Sequence, residues 1–174
     1  FSKSKSREPT EATFGFQRAS SISAGYSQSF DTEALDNEYE ATPMGERVAQ
    51  LYIDPLSADI LLDGLRRAVR RIVRKSLPVT SFSLCHLVAA TPDFISLWPK
   101  SSELDFGSKL RQKAALVEDE LLIESPIDER AMGLVKSAWC TEFWYEERDL
   151  RDIEKELGVT PGDVYSRTDL MGWL

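Results

Sequence analysis

Histidine and cysteine are scarce in this chain of 174 residues, which has one of the former and two of the latter. That scarcity excludes a zinc site built from the usual Cys and His clusters. Cys85 and Cys140 lie far apart in apolar or aromatic surroundings and read as buried thiols of a reducing compartment. No apolar run approaches the roughly 20 residues that span a bilayer, and no signal-peptide pattern opens the chain, so no membrane association and a cytoplasmic location are expected. The Gly-rich loop with a following Lys-Ser or Lys-Thr is missing, as is the Gly-x-Ser-x-Gly turn of a hydrolase, and no Asp-Glu pair stands at a strand end for Mg²⁺. His86 has no Ser, Cys or carboxylate at a recognisable spacing and reads as a core or helix-cap residue. The acidic runs Glu118-Asp119-Glu120 and Glu146-Glu147 read as solvated helix faces rather than acid/base pairs. No catalytic residue, metal ligand or cofactor site is therefore assigned, and the chain alone is not expected to be an enzyme.

What is present is an acidic chain with a concentrated basic stretch. The formal net charge is -8, from 21 Lys and Arg against 29 Asp and Glu. That balance argues against non-specific adhesion to nucleic acid. Yet Ala41 to Lys75 collects Arg66, Arg67, Arg70, Arg71, Arg74 and Lys75 between acidic flanks. This face is either a local anion-binding surface or a solvated helix face. Thr42-Pro43 gives an N-cap with Pro at the first helical position, where the missing N–H costs nothing. Val48, Leu51 and Tyr52 then share one face, expected to be buried. Asp54-Pro55 repeats the start signal for a second helix, in which Leu61, Leu65, Val69, Ile72 and Val73 form the expected inward side. Its acids lie early and its arginines late, as the helix dipole favours.

Phe1 to Phe30 is Ser-rich without periodicity and reads mostly as loop, with Thr13 to Gln17 as the start of a packed element. Glu38 to Ala41 reads as a short strand leading into the first helix. Leu77-Pro78 stops the basic helix. Val79 to Ala90 is expected as a helix with Phe82, Cys85, His86 and Ala89 on one side, and Phe94, Ile95, Leu97 and Trp98 as a core cluster. Ser101 to Ile123 reads as one longer helix with Leu110, Ala114, Val117 and Leu121 on a stripe. Asp128 to Glu147 carries Met132, Val135, Trp139, Phe143 and Trp144 at helical spacing. A short charged helix from Asp149 to Leu157 ends at Gly158, a typical C′ glycine. Thr160-Pro161 opens the last helix, which bears Val164, Arg167, Leu170, Met171 and Trp173. The fold class expected is mainly α: a helical bundle preceded by a partial winged helix with a short β element. The divisions are 1–37 as Ser-rich loop or incomplete winged helix, 38–56 as its end with a linking helix, and 57–174 as the bundle.

Three segments, LYIDPLSADILLDGL at Leu51 to Leu65, HLVAATPDF at His86 to Phe94, and GVTPGDVYSRTDLMGWL at Gly158 to Leu174, resemble in the same order segments of archaeal superfamily-two DNA repair helicases. Those are the Ski-two-like class, related to the helicase half of DNA polymerase theta. The resemblance implies a bundle called the ratchet domain, following a winged helix, in which one helix lies along the translocating single strand. It implies that Trp173 stacks on a base, a role its indole fits without sequence preference. It also implies a basic residue one or two turns earlier, for which Arg167 is nearest; some members carry Arg at the position of Ser166. The alternative is that Trp173 packs in the bundle and Arg167 pairs with Asp163 or Asp169. The implied partners are single-stranded or forked DNA and motor domains of the same polypeptide, with ATP and Mg²⁺ belonging to the full-length protein. The winged-helix helices that the family places between Phe16 and Tyr39 have no counterpart here, and neither motor domain is present.

Two other functions fit the same residues. One is a protein-interaction module docking an acidic partner through the arginine-rich helix. The other is a winged-helix regulator of duplex DNA, which would need a recognition helix before the wing.

Overall fold

Short polar side chains set most of the helix starts. Thr42, Thr80, Ser108, Asp128, Asp149 and Thr160 each accept a hydrogen bond from a backbone N–H in the first turn that follows, satisfying donors that an α-helix cannot pair internally. The computed structural model describes residues 16–18, 39–123 and 128–174. Its elements are β1 (Phe16–Arg18), β2 (Tyr39–Ala41), α1 (Pro43–Gln50), α2 (Pro55–Arg74), α3 (Ser81–Ala89), α4 (Lys109–Leu116), α5 (Glu129–Tyr145), α6 (Leu150–Leu157) and α7 (Pro161–Trp173). The protein is mainly helical. It divides into two units, Phe1–Pro55 and Leu56–Leu174.

In the first unit β1 and β2 pair antiparallel, with Phe16 opposite Ala41 and Arg18 opposite Tyr39. β1 thus overlaps the end of Thr13 to Gln17, the part of the Ser-rich stretch expected to start a packed element, and β2 coincides with the short strand expected over Glu38 to Ala41. The remaining positions of 1–38 lie outside the described residues, as do Thr13 to Gly15. On α1 only Val48 is buried. Leu51 and Tyr52, expected on the same face, are exposed, because the helix ends at Gln50 and Tyr52 turns into the left-handed region at φ 54°.

The second unit is organised on α5, whose residues from Ala131 to Ala138 are all buried. Its apolar side chains face α3, where Phe82, Cys85 and Ala89 join Met132, Val135 and Ala138 in one core cluster. Toward its C-terminal end Cys140 and Phe143 meet Ile153 and Leu157 of α6 and Val164 of α7 in a second. Each large side chain buried this way contributes about 1.5–3 kcal/mol. The polar groups on α5 are satisfied locally. Ser137 Oγ donates to the Gly133 carbonyl at 2.8 Å, and Lys136, almost fully buried, donates to the Glu103 carboxylate at 2.7 Å.

Three further expectations are corrected. The inward side of α2 is Ser57, Ala58, Gly64 and Ala68, with Leu61 partly buried, while Leu65, Val69, Ile72 and Val73 face solvent. Small residues win because α2 lies close on α3: a Cβ on Gly64 would come within 2.2 Å of Leu87 Cδ1. The long helix expected from Ser101 to Ile123 is instead a 3₁₀ turn at Ser101–Glu103, helix α4, and a second 3₁₀ turn at Glu118–Glu120. Gly107 and the Ser108 cap interrupt it, since Ser108 accepts from Arg111 N and starts a new helix. Finally, Phe94 and Leu97 are core, but Ile95 and Trp98 of the same cluster are exposed. These four lie in a connection that is neither helix nor strand, so the helical spacing that would put them on one face does not apply.

Candidate nucleic-acid interface

Helix α7 is fixed at its start by a reciprocal cap. Thr160 Oγ1 accepts from Asp163 N at 3.2 Å, and Asp163 Oδ2 accepts from Thr160 N at 3.0 Å, with Pro161 at the first helical position. The same hydrogen bonds from the Thr160 backbone and hydroxyl hold the Asp163 carboxyl below the usual range. Val164, Thr168 and Met171 recur at four and three residues and are buried. The opposite face therefore consists of Tyr165, Ser166, Asp169, Gly172 and Trp173, all exposed.

Ser166 and Trp173 are seven residues apart, so they stand on one stripe roughly 10 Å apart. Trp173 is 52% exposed. Arg167 begins 100° away on the helical wheel and is largely covered, with 17% of its side chain accessible. Its guanidinium nonetheless turns to this stripe. Nη1 donates to Ser166 Oγ at 2.7 Å and lies 3.4 Å from Asp163 Oδ1, while Nε donates to the carbonyl of Ile95 at 3.1 Å. The structure thus brings Ser166, Arg167 and Trp173 onto one edge of α7, with Arg167 already paired to Asp163. Tyr165 stands edge-on to Trp144 at 5.3 Å.

The arginines of α2 have different surroundings. Arg71 faces the bundle: its guanidinium donates to the carbonyls of Asp119, Glu120 and Leu121 at 2.8 to 3.1 Å. It holds the second 3₁₀ turn against α2. Arg67 pairs with Asp63 one turn earlier at 3.0 Å. Arg66, Arg70 and Arg74 are exposed beside the uncovered Leu65, Val69, Ile72 and Val73.

His86 is buried, and neither ring nitrogen has a hydrogen-bond partner among the described residues. Burial pushes its pKa down to about 4, so the ring is neutral. It stacks near Phe82 at 6.2 Å and lines a cavity of about 310 Å³ with Met132 and Val135 on its wall and Arg111 and Phe106 at its rim. Cys85 and Cys140 are free and buried. Burial raises both thiols, Cys140 to about 11, which keeps them protonated and unreactive. Among the described residues no helix is long and apolar enough to cross a membrane.

Sequence reasoning missed the exposure of Ile95, whose carbonyl accepts from Arg167, and of Trp98. The only local hint is Trp98-Pro99, which signals an extended connection but not its direction.

A family model described as archaeal helicase, domain 4, matches residues 82–174. The chain is 29% identical over 149 residues to the ATP-dependent DNA helicase Hel308 of Methanocella arvoryzae, covering 82% of this chain and 19% of that protein. It is 31% identical over 142 residues to the protein of the same name from Pyrococcus horikoshii, covering 80% of this chain and 18% of that one. With the relative from Thermococcus kodakarensis it shares 31% identity over 145 residues, or 12% of that protein. The chain thus spans about a fifth or less of the length of these relatives.

Proposed function

We propose, for a chain that belongs to the archaeal helicase domain 4 family, that it is an accessory, strand-guiding part of an ATP-dependent DNA helicase acting on single-stranded or forked DNA. The observation that carries this reading is the outer edge of α7, where an exposed Trp173 and a guanidinium held at Ser166 Oγ share one stripe. An indole face accepts any base, and a cation beside it meets the adjoining phosphate, so the edge suits a strand of any sequence. In this ratchet reading the motor domains, on the same polypeptide, move the strand while the α7 edge holds successive nucleotides and limits slippage. The β1–β2 pair and α1 would be what remains of a winged helix. ATP and Mg²⁺ belong to the motor: this chain has no Gly-rich phosphate loop, so none of its residues is assigned to either.

The mechanism has a definite division of labour. Arg167 is held by three oxygens before any DNA arrives, so little side-chain entropy is lost when its remaining valence meets a phosphate. Asp163 and Asp169 on the same side lower the net attraction. Affinity should therefore rest on stacking more than on charge, which suits a contact that must be released at every step.

A second reading concerns α2, where an apolar ridge stands between exposed arginines. That arrangement fits docking of the bundle on an acidic-rimmed partner surface, the motor domains included, better than it fits a bare phosphate track.

The test is a fluorescence-anisotropy titration with a single-stranded oligonucleotide and the matching duplex at low salt, for the chain, Trp173→Ala and an Arg66/Arg70/Arg74 triple alanine variant. Single-strand preference lost in Trp173→Ala supports the α7 contact. Loss only in the triple variant would move DNA binding to α2, and duplex preference would favour the regulator reading.

A further inference from the structure

The connection from Thr91 to Lys100 is clamped to the bundle through its backbone. Leu97 N donates to Ser137 Oγ at 2.7 Å, and Lys136 Nζ reaches the Trp98 carbonyl at 3.5 Å. The Leu97 carbonyl comes so close to α5 that a Cβ on Gly133 would stand 2.7 Å from it. Arg167 Nε holds the Ile95 carbonyl from the α7 side. Phe94, Leu97 and Pro99 are buried, whereas the Ile95 and Trp98 side chains are 65% and 73% exposed. An indole left in solvent on a backbone gripped from α5 and α7 is a surface feature held in one place.

The direction of the connection is set by its two ends. Ile95 lies against Arg167, in the middle of α7. The tip of the Lys100 side chain reaches Gly158, which caps α6 three residues before α7 begins: Nζ is 2.6 Å from where a Gly158 Cβ would stand, and Gly158 itself is left-handed at φ 60°. Residues 95 to 100 therefore run alongside α7 toward its N-terminal end. Trp173 lies six residues past Arg167, roughly 9 Å in the other direction. In order along the helix come Trp173, the Ser166–Arg167–Ile95 junction and the Lys100 tip at Gly158, with residues 96 to 99, Trp98 among them, joining the last two.

We propose that Trp98 is a second base-stacking post, which with Trp173 and the Arg167 junction between them makes one track for single-stranded nucleic acid along α7. This rests on the α7 reading above and extends it. Two aromatic faces separated by a cation match what a single strand offers, bases alternating with phosphates, and the extent fits the several-nucleotide footprints of such platforms. Ile95 closes the gap beside the guanidinium, and Lys100 supplies positive charge where the track leaves the helix.

The experiment titrates an oligothymidylate of about 12 nucleotides against the full chain and against Trp98→Ala, Trp98→Phe, Trp173→Ala and the Trp98/Trp173 double alanine variant. The expected result is a loss of about tenfold for Trp98→Ala, recovery of most of it in Trp98→Phe, and a larger loss in the double variant than in either single one. Trp98 is exposed, so unchanged thermal unfolding of its variants accompanies this. If Trp173→Ala weakens binding and Trp98→Ala does not, the second post is overturned while the α7 reading stands. If neither alanine variant weakens binding, both are overturned.

Discussion

Helices α2 and α5 are the two longest among the described residues and are built on opposite principles. Over 17 residues α5 buries twelve, from nearly every direction, with α3, α4, α6 and α7 around it. Over 20 residues α2 buries four, all small. Sequence amphipathicity points the wrong way on α2, because its large apolar residues are the ones left out. The contrast shows that a helical stripe of small residues, Ser57, Gly64 and Ala68, with Leu61 between them, competes with a stripe of large ones where the neighbour is close. Closeness is what Gly64 permits: Leu87 fills the space its side chain would take. Among the described residues nothing covers the apolar face that remains on α2, whereas α5 has little left uncovered.

Substitutions can break or sharpen this contrast, and the largest effect belongs on α5. Met132→Ala removes a buried side chain at the centre of the main core and should cost about 2–5 kcal/mol in denaturant unfolding. A cost near zero would mean that α5 is not the packing axis. Next comes acid. Above pH 6.5 His86 is neutral folded or unfolded and costs nothing. Below it the unfolded chain takes up a proton that the folded chain refuses until about pH 4. Stability should therefore fall as pH drops, by about 2 kcal/mol at pH 5, and His86→Gln should flatten that slope.

A smaller effect is expected where α2 is anchored. Arg71→Ala leaves the carbonyls of residues 119–121 without their donor and should cost about 1–3 kcal/mol. Arg70→Ala, one residue away and exposed, should be neutral within about 0.5 kcal/mol. Equal melting temperatures for the two variants would refute the assignment of Arg71 to a structural role. Smallest of all, Ile72→Ser on the bare face of α2 should leave stability within about 0.5 kcal/mol of the parent. A loss comparable to Met132→Ala would show that this face is covered.

Several helix ends were legible because their signals are local: Thr42-Pro43 and Thr160-Pro161 at starts and Gly158 at the close of α6 act within one turn. Ser166 entered only through the family resemblance, with Arg167 taken as the nearer basic residue; the structure puts Ser166, two turns from Trp173, on its stripe and turns the Arg167 guanidinium to it. The facing of α2 was not, because both its stripes have helical period and only the distance to α3 decides between them. Nor was the break in Ser101 to Ile123, although Gly107-Ser108 marks its first part; the apolar spacing of Leu110, Ala114 and Val117 runs on to Leu121, past the end of α4. The directions of Ile95 and Trp98 depend on the bond that Leu97 N donates to Ser137, 40 residues on, and the one that the Ile95 carbonyl accepts from Arg167, 72 residues on.

The inward turn of Arg71 also has an electrostatic consequence. The five arginines from Arg66 to Arg74 look like one continuous band of positive charge along α2. With Arg71 spent on backbone carbonyls and Arg67 drawn to Asp63, at most three of the five face outward. Each phosphate of a single strand that they neutralise releases about 0.7 of a counterion. The slope of log affinity against log salt owed to this helix is thus capped near about 2, where a count of arginines would give about 3.5. A salt titration of the parent chain against the Arg66/Arg70/Arg74 triple variant reads that ceiling directly.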